Sequence, residues 1–197
     1  MNSDTPSTAR GRGRPRDTDL RRRILSSATT LAADEGVDIG FDRIAHAARA
    51  SRTTLYRWWR SPHELLLDAL LDAVSFSLET DPSTPIVEQL RMQVEATAAI
   101  LIDPPTSGTL RALVAAAAAG GVARDEIITR WFAPRRAAAI TLIEAGIADG
   151  TVVDEDPETL VDVLFAPVYH RVFFTGQPLT EQFVAALIRR IQPPCSV

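Results

Sequence analysis

The chain has 197 residues, of which 46% are hydrophobic and 23% are charged, a composition typical of a globular protein rather than of a disordered one. Its single cysteine, Cys195, excludes an intramolecular disulfide framework and favours a reducing compartment. The formal net charge is −4, but the first 60 residues carry 12 arginines and 7 acidic residues, while the other 137 carry 9 arginines and 18 acidic residues. A basic head on an acidic body points to an anionic partner such as nucleic acid, which the overall charge would argue against.

Residues 1–16 contain Ser, Thr, Pro, Gly and Arg with little to bury, and they are predicted to form a disordered basic arm. No apolar stretch follows the charged N-terminus, so we expect no signal peptide. The most apolar run, residues 112–123, is too short to span a bilayer. We therefore expect a cytoplasmic protein that does not contact a membrane.

Three helices are predicted between residues 18 and 60. Apolar residues at intervals of three and four predict an amphipathic helix over 18–36. A shorter helix follows over 41–48. A third begins after Ser51, whose hydroxyl can cap it, and ends at Trp58 or Trp59.

The remaining chain also has helical patterns throughout. Ser61 and Glu64 form a capping box around Pro62, which opens a helix expected to reach about Thr80. Further helices are predicted over 86–102, 107–119, 124–149, 157–175 and 179–191. Pro134 and Pro167 fall inside two of these patterns and should kink or divide them, because proline lacks a backbone N–H. No stretch alternates like a strand, so the fold class is all-α.

The second and third helices are short and joined by a tight turn, as in a helix-turn-helix. There the later helix enters the major groove of DNA, where arginine can bridge guanine O6 and N7 and threonine can contact a base edge. We expect base contacts from Arg52, Thr53 and Thr54. We expect the remaining DNA contacts, mainly to phosphates, from Arg43, Arg49, Ser51, Tyr56, Arg57 and His63. The alternative is a plain three-helix bundle with a solvated Arg/Thr face.

Residues 41–65 resemble the DNA-binding domain of the tetracycline-repressor-like (TetR/AcrR) transcriptional regulators. The matching elements are Ile44-Ala45, Thr54-Leu55-Tyr56, Trp59 and Ser61 with Glu64-Leu65. In the body, Phe132-Ala133-Pro134-Arg135-Arg136 and Leu164-Phe165-Ala166-Pro167-Val168-Tyr169 resemble one subgroup of that family's ligand domain. The resemblance implies a helix-turn-helix domain over residues 17–61 and a helical regulatory and dimerisation domain over 62–197.

Three positions depart from the pattern of the resembled family. Arg49 stands at a turn position where the family usually has glycine, and Gly40 replaces the usual Thr or Ser cap of the second helix. Pro62 stands where many members have a phosphate-binding lysine. We expect Arg43, Arg49 and His63 to supply the phosphate contacts that these changes remove.

The arm carries a second DNA-binding signal. Arg12-Gly13-Arg14-Pro15 resembles the core of an AT-hook, whose arginines lie along the narrow minor groove of A/T-rich DNA. Beside a helix-turn-helix, this favours an arm in which Arg12, Arg14 and Arg16 contact the minor groove or phosphates. The alternative is a solubilising basic tail.

The resemblance also implies a small-molecule pocket among helices 4 to 7 of the family's fold. Its candidate lining residues are Phe76, Met92, Trp131, Phe132, Tyr169 and His170, each of which could instead be a core residue. In the family, the last two long helices of each subunit form a four-helix dimer interface. Here those helices are apolar on more than one face, with candidate interface residues Leu160, Leu164, Phe165, Val168, Val172, Phe183, Leu187 and Ile191. The alternative is that they are central core helices.

Catalytic and metal-binding patterns are missing from the sequence. The histidines His46, His63 and His170 have no metal-ligand spacing, and no nucleophile elbow, phosphate loop or dinucleotide fingerprint occurs. We therefore expect no enzyme, no metal and no cofactor. The sequence predicts a homodimeric repressor that binds a pseudo-palindromic operator in double-stranded DNA and is released by a small-molecule effector. The alternative is a small-molecule-binding or interaction protein of the same fold without a transcriptional role.

Overall fold

The computed structural model describes residues 14–35, 39–74 and 83–194, apart from the side chains of residues 14–17 and 122. This part of the chain is helical, contains no strand and confirms the predicted all-α class. Its α-helices are α1 Arg14–Glu35, α2 Phe41–Ala48, α3 Arg52–Trp58, α4 Pro62–Ala73, α5 Ile86–Ile102, α6 Pro104–Ala118, α7 Val122–Ile127, α8 Ala133–Asp149, α9 Pro157–His170 and α10 Glu181–Ile191. Two π-helical turns, Ile128–Phe132 and Arg171–Thr175, follow α7 and α9.

We call α1 to α3 the head and α4 to α10 the body. The helices α2 and α3 have the predicted bounds, whereas α1 begins at Arg14, before the predicted residue 18. The disorder predicted for residues 1–16 is therefore corrected for residues 14–16, because their backbone lies in the first turn of a helix, where Pro15 costs no hydrogen bond. Arg12 lies outside the described residues.

The fourth helix begins at the predicted capping box. The backbone N–H of Glu64 donates to Ser61 Oγ at 3.1 Å, and the Glu64 carboxylate accepts from the backbone N–H of Arg60 at 2.7 Å. The helix ends at Ala73, before the predicted Thr80, and residues 75–82 lie outside the described chain.

Prolines set the boundaries of the body helices. Helix α6 begins at Pro104, earlier than the predicted residue 107, because Asp103 caps it and Pro104-Pro105 fill the first turn, where a missing N–H costs little. Pro134 divides the predicted 124–149 helix: the backbone N–H of Ala133 bonds the carbonyl of Ile128, five residues back, in a π turn. Helix α9 passes through Pro167 and then widens into the second π turn. The predicted division is confirmed at Pro134, whereas Pro167 lies inside α9 and does not divide it.

One continuous buried core runs through head and body. Helix α1 packs on α4 and α6, which joins the two parts, while α5, α8, α9 and α10 pack together in the body. At the joint, a Cβ on Gly108 would lie 2.6 Å from Ala33 Cα, so the backbones of α6 and α1 approach closely. No helix in the described part of the chain is both long and apolar enough to cross a membrane.

Candidate nucleic-acid interface and body cavity

The turn between α2 and α3 is closed by a residue in the left-handed conformation. Arg49 has φ 49° and ψ 46°, and among the described residues it is the non-glycine residue with positive φ. The backbone N–H of Ala50 donates to Ala45 O at 2.9 Å and that of Arg49 to His46 O at 3.2 Å. From α1, Arg23 Nε donates to Ala48 O at 2.8 Å. The turn therefore keeps the helix-turn-helix geometry without the usual glycine, at a cost of about 1–2 kcal/mol of backbone strain.

The recognition helix α3 is anchored on one side and exposed on the other. Ser51 Oγ accepts from the backbone N–H of Thr54 at 3.1 Å, and the two hydroxyl oxygens lie 2.8 Å apart. Leu55 is fully buried, while Thr53 and Arg57 are exposed. The hydroxyl of Thr53 therefore faces solvent, and that of Thr54 is held in the cap.

Two of the predicted DNA-contacting arginines form ion pairs within the head. Arg52 Nε lies 2.6 Å from Asp42 Oδ1, and Arg43 Nη2 lies 2.5 Å from Glu35 Oε1. The hydrogen bonds that Arg43 donates to the Glu35 carboxylate, reinforced by the charge of that carboxylate, raise the pKa of Arg43 above its ordinary value. In the described part of the chain no carboxylate pairs with Arg49 or Arg57, so these two cations are more readily available to a phosphate.

Two further predicted phosphate contacts are Tyr56, on the recognition helix itself, and His63, on the helix that follows it. The Tyr56 ring is 59% exposed and packs edge-on against Phe41, with centroids 4.8 Å apart. Its orientation is therefore fixed before any DNA is bound. His63 lies half-buried in the first turn of α4.

Asp68 joins the recognition helix to the rest of the molecule. Its Oδ2 accepts from Trp59 Nε1 and from Arg21 Nη2, both at 3.0 Å, and its Oδ1 accepts from Arg130 Nη2 at 2.6 Å. Burial alone would raise the pKa of the Asp68 carboxyl, but the hydrogen bonds from Arg130, Trp59 and Arg21 outweigh burial and lower that pKa. Sequence reasoning missed Asp68, Arg130 and Arg23, because their partners are distant in sequence.

A mainly apolar cavity of about 280 Å³ lies in the body between α5, α8, α9 and the first π turn. It is lined by Thr97, Phe132, Arg135, Arg136, Val161, Asp162, Phe165, Ala166 and Tyr169. Phe132 and Tyr169 were predicted, and their ring centroids lie 5.6 Å apart. Burial raises the pKa of the Tyr169 phenol. The guanidinium of Arg135 stacks on the ring of buried Trp131, 3.5 Å from the ring centroid. Burial lowers the pKa of Arg135.

Comparison with known proteins agrees with this geometry. The model of the tetracyclin repressor-like C-terminal domain matches residues 83–191. The uncharacterized HTH-type transcriptional regulator YdeS of Bacillus subtilis is 30% identical over 180 residues, which cover 90% of each chain. The chain belongs to the TetR family.

Solved structures of the family have the same architecture. The TetR family transcription regulator SCO0332 superposes with a TM-score of 0.68 at 29% identity, covering 87% of this chain and 96% of that one. A TetR transcriptional regulator from Agrobacterium tumefaciens shares the fold with a TM-score of 0.66 at 18% identity, covering 89% of this chain and 95% of that one.

A second sequence relative has a role in transcription. The HTH-type transcriptional regulator AqdR of Rhodococcus erythropolis is 25% identical over 84% of this chain and 79% of its own. This TetR-family protein is a DNA-binding transcriptional regulator.

Several predicted pocket residues of this TetR-family regulator lie elsewhere. Met92 is 55% exposed on α5, and His170 is exposed and stacks on Phe174, with centroids 5.8 Å apart, so neither lines the cavity. Trp131 lies behind Arg135, outside the lining. Phe76 lies outside the described residues. The helical period does not tell which apolar face meets a neighbour, and this is why these predictions are corrected.

The predicted interface residues divide among three environments. The side chains of Leu160, Leu164, Val168, Leu187 and Ile191 are buried in the core of their own protomer, which corrects their assignment to a subunit surface. Phe165 lines the cavity, and Val172 and Phe183 are half-buried. In the described part of this TetR-family chain, no group of three His, Cys, Asp or Glu residues comes together as a metal site.

Proposed function

We propose that this TetR-family regulator is a homodimeric repressor that leaves its operator when a small-molecule effector enters the body cavity. The observation that carries the proposal is that one protomer combines an exposed Arg/Thr face on α3 with a mainly apolar cavity. A regulator of this kind works where the chromosome lies, so we propose a cytoplasmic location.

The DNA contacts follow from the exposure of α3. Thr53 has the most accessible hydroxyl for a base edge, and Arg52 can reach a guanine once its pair with Asp42 opens. Arg49 and Arg57 contact phosphates more readily than Arg43, because Arg43 must break its ion pair with Glu35 before it can bind a phosphate. Tyr56 and His63 add hydrogen bonds to phosphates. To Arg12, Arg14 and Arg16 we assign contacts with the minor groove or with phosphates.

A third face of α9 provides the subunit interface. Pro167 and His170 on α9 and Phe174 in the π turn that follows it lie at intervals of three and four, and so share a face that is neither the core nor the cavity. Phe174 is 79% exposed, which is unusual for a large apolar side chain. We propose that this face packs against the same face of a second subunit in a two-fold arrangement. The two α3 helices then enter successive major grooves with centres about 34–36 Å apart.

The effector is a small, largely apolar molecule, because the cavity is about 280 Å³ and lined mainly by apolar side chains. The effector causes the dimer to leave its operator only if it binds more tightly to a dimer with a different spacing of the two heads than to the DNA-bound form. Equal affinity for both forms would change nothing, however tightly the molecule binds.

The DNA assignment is tested with an operator selected from random duplex DNA. Changing Thr53→Ala should reduce operator affinity by about tenfold at fixed salt and leave binding to random duplex almost unchanged, because base contacts carry the sequence preference. The matched control is Thr141→Ala on α8, whose hydroxyl bonds Ala137 O and which should bind both DNAs like the wild type. An equal loss on both DNAs would show that Thr53 does not contact a base.

A further inference from the structure

The Asp68 carboxylate is shared by three donors from three parts of the fold. Arg21 comes from α1, Trp59 directly follows α3, and Arg130 lies on the first π turn. All three hydrogen bonds are 3.0 Å or shorter, and the Asp68 side chain is 20% exposed. A carboxylate has few further lone pairs to offer, so the position of each donor depends on that of the others.

Trp59 sets the C-terminal end of the recognition helix. Its backbone N–H donates to Leu55 O at 2.9 Å, and its own backbone is extended, so α3 ends there. Its side chain is 4% exposed and packs edge-on against Trp58, with centroids 5.6 Å apart. A buried indole N–H needs an acceptor, and Asp68 is the acceptor here. Movement of Asp68 therefore changes the angle between α3 and the other helices of the head.

Arg130 connects the same carboxylate to the cavity. It precedes buried Trp131 and cavity-lining Phe132 in a single π turn. Such turns are rare and are frequently found at functional sites. A ligand that displaces Phe132 moves the backbone of the turn and with it the Arg130 guanidinium.

We propose that Asp68 is a positioning residue that sets the angle of the recognition helix through Trp59 and takes its own position from Arg130. The part of this proposal that connects Asp68 with α3 requires only that the protein binds DNA. The last step, from Phe132 to Arg130, rests on the proposed effector cavity. The lowered pKa of Asp68 is consistent with this role, since the carboxylate stays charged at neutral pH and keeps both arginines attached.

The test is a double-mutant cycle that needs no effector. Trp59→Phe keeps an aromatic ring but replaces the indole and so removes its N–H, and Arg130→Gln removes a cation that lies in the body. Affinity is measured for the selected operator and for a version with its half-sites one base pair further apart. We expect each variant to bind the selected operator roughly tenfold more weakly, as expected when a hydrogen bond to a charged group is lost. The double variant should lose no more than either single one, because both changes break the same connection.

The spacing preference separates positioning from general destabilisation. Both variants should discriminate less between the two operators than the wild type when affinity is measured well below the thermal midpoint of every variant. The control is Arg91→Gln on α5, which loses ion pairs with Glu88 and Glu95 away from Asp68 and should keep the wild-type preference. Additive losses, or an unchanged spacing preference, would overturn the role of Asp68. If the dimer proposal fails instead, the wild type itself shows no spacing preference.

Discussion

Arg49 stands at a turn position that favours glycine, and it is also a proposed phosphate contact. Its φ of 49° places it where a Cβ crowds the neighbouring carbonyl, and glycine would take the same conformation without strain. The turn nevertheless closes, because the hydrogen bonds of Ala50 and Arg49 to the end of α2 are made. We infer that the strain is retained because the exposed guanidinium contacts DNA.

Arg49→Gly should therefore stabilise the protein and weaken its DNA binding. Removing the strain should raise the free energy of unfolding by about 1 kcal/mol. Loss of one phosphate contact should lower the slope of log affinity against log salt by about 1. Urea denaturation and binding titrations at several salt concentrations measure the two effects.

The matched control is Arg49→Lys, which keeps both the charge and the Cβ and should alter neither quantity much. An unchanged salt slope in Arg49→Gly would show that Arg49 does not contact a phosphate.

Some residues that position the DNA-binding face could not be predicted individually. Arg23 bonds Ala48 O across 25 positions, and Arg130 bonds Asp68 across 62. No local pattern marks such pairs, because the two side chains meet only after their helices pack. By contrast, the Ser51 and Ser61 caps were predictable, since their hydroxyls bond backbone N–H groups three residues ahead.

The contact between α1 and α6 is the main joint between head and body at the scale of elements. Gly108 allows it, because a Cβ there would lie 2.6 Å from Ala33 Cα and 3.1 Å from Ala32 O. Both neighbours are backbone atoms, so no side-chain rotation can relieve the overlap. The orientation of α1 on the body therefore depends on Gly108 having no side chain.

Gly108→Ala should destabilise the protein by about 1–3 kcal/mol, because overpacking outweighs the helix propensity gained. Ala115→Gly on the exposed face of α6 gives the propensity difference alone, expected to be about 1 kcal/mol. Urea denaturation of the two variants separates the terms. If Gly108→Ala stabilises by the amount that Ala115→Gly destabilises, α1 and α6 are not in close contact there.

Helix α9 shows what periodicity can and cannot predict. Its apolar residues predicted burial on more than one face, and the structure gives those faces three environments. Leu164 and Val168 enter the core, Phe165 and Tyr169 line the cavity, and Phe174, in the π turn that follows α9, remains exposed. The three kinds of residue are equally apolar, so only the neighbouring helices distinguish them.

At the scale of the whole molecule, the exposed face of α9 should hold two subunits together. A stable dimer buries about 1,200–2,000 Å² in total, and a large ring such as Phe174 is typical of the centre of such an interface. Phe174→Asp places a charge there and should weaken the dimer by roughly 100-fold or more. Sedimentation equilibrium over a range of protein concentrations measures the change.

The control is Met92→Asp, which places the same charge on α5, where the native side chain is 55% exposed. It should leave the dimer intact. A dimer of unchanged affinity in Phe174→Asp would place the subunit interface on another face of the molecule.

The sequence by itself determined the helical class, the helix-turn-helix, most helix starts and the division between a basic head and an acidic body. These features depend on local periodicity, capping and composition, which each segment carries on its own. The tertiary structure decided which apolar faces became core, cavity or free surface, and which arginines were already paired with carboxylates. It also brought Trp59, Asp68 and Arg130 together. Such contacts join segments that are distant in the chain, and their energies exist only once the helices have packed.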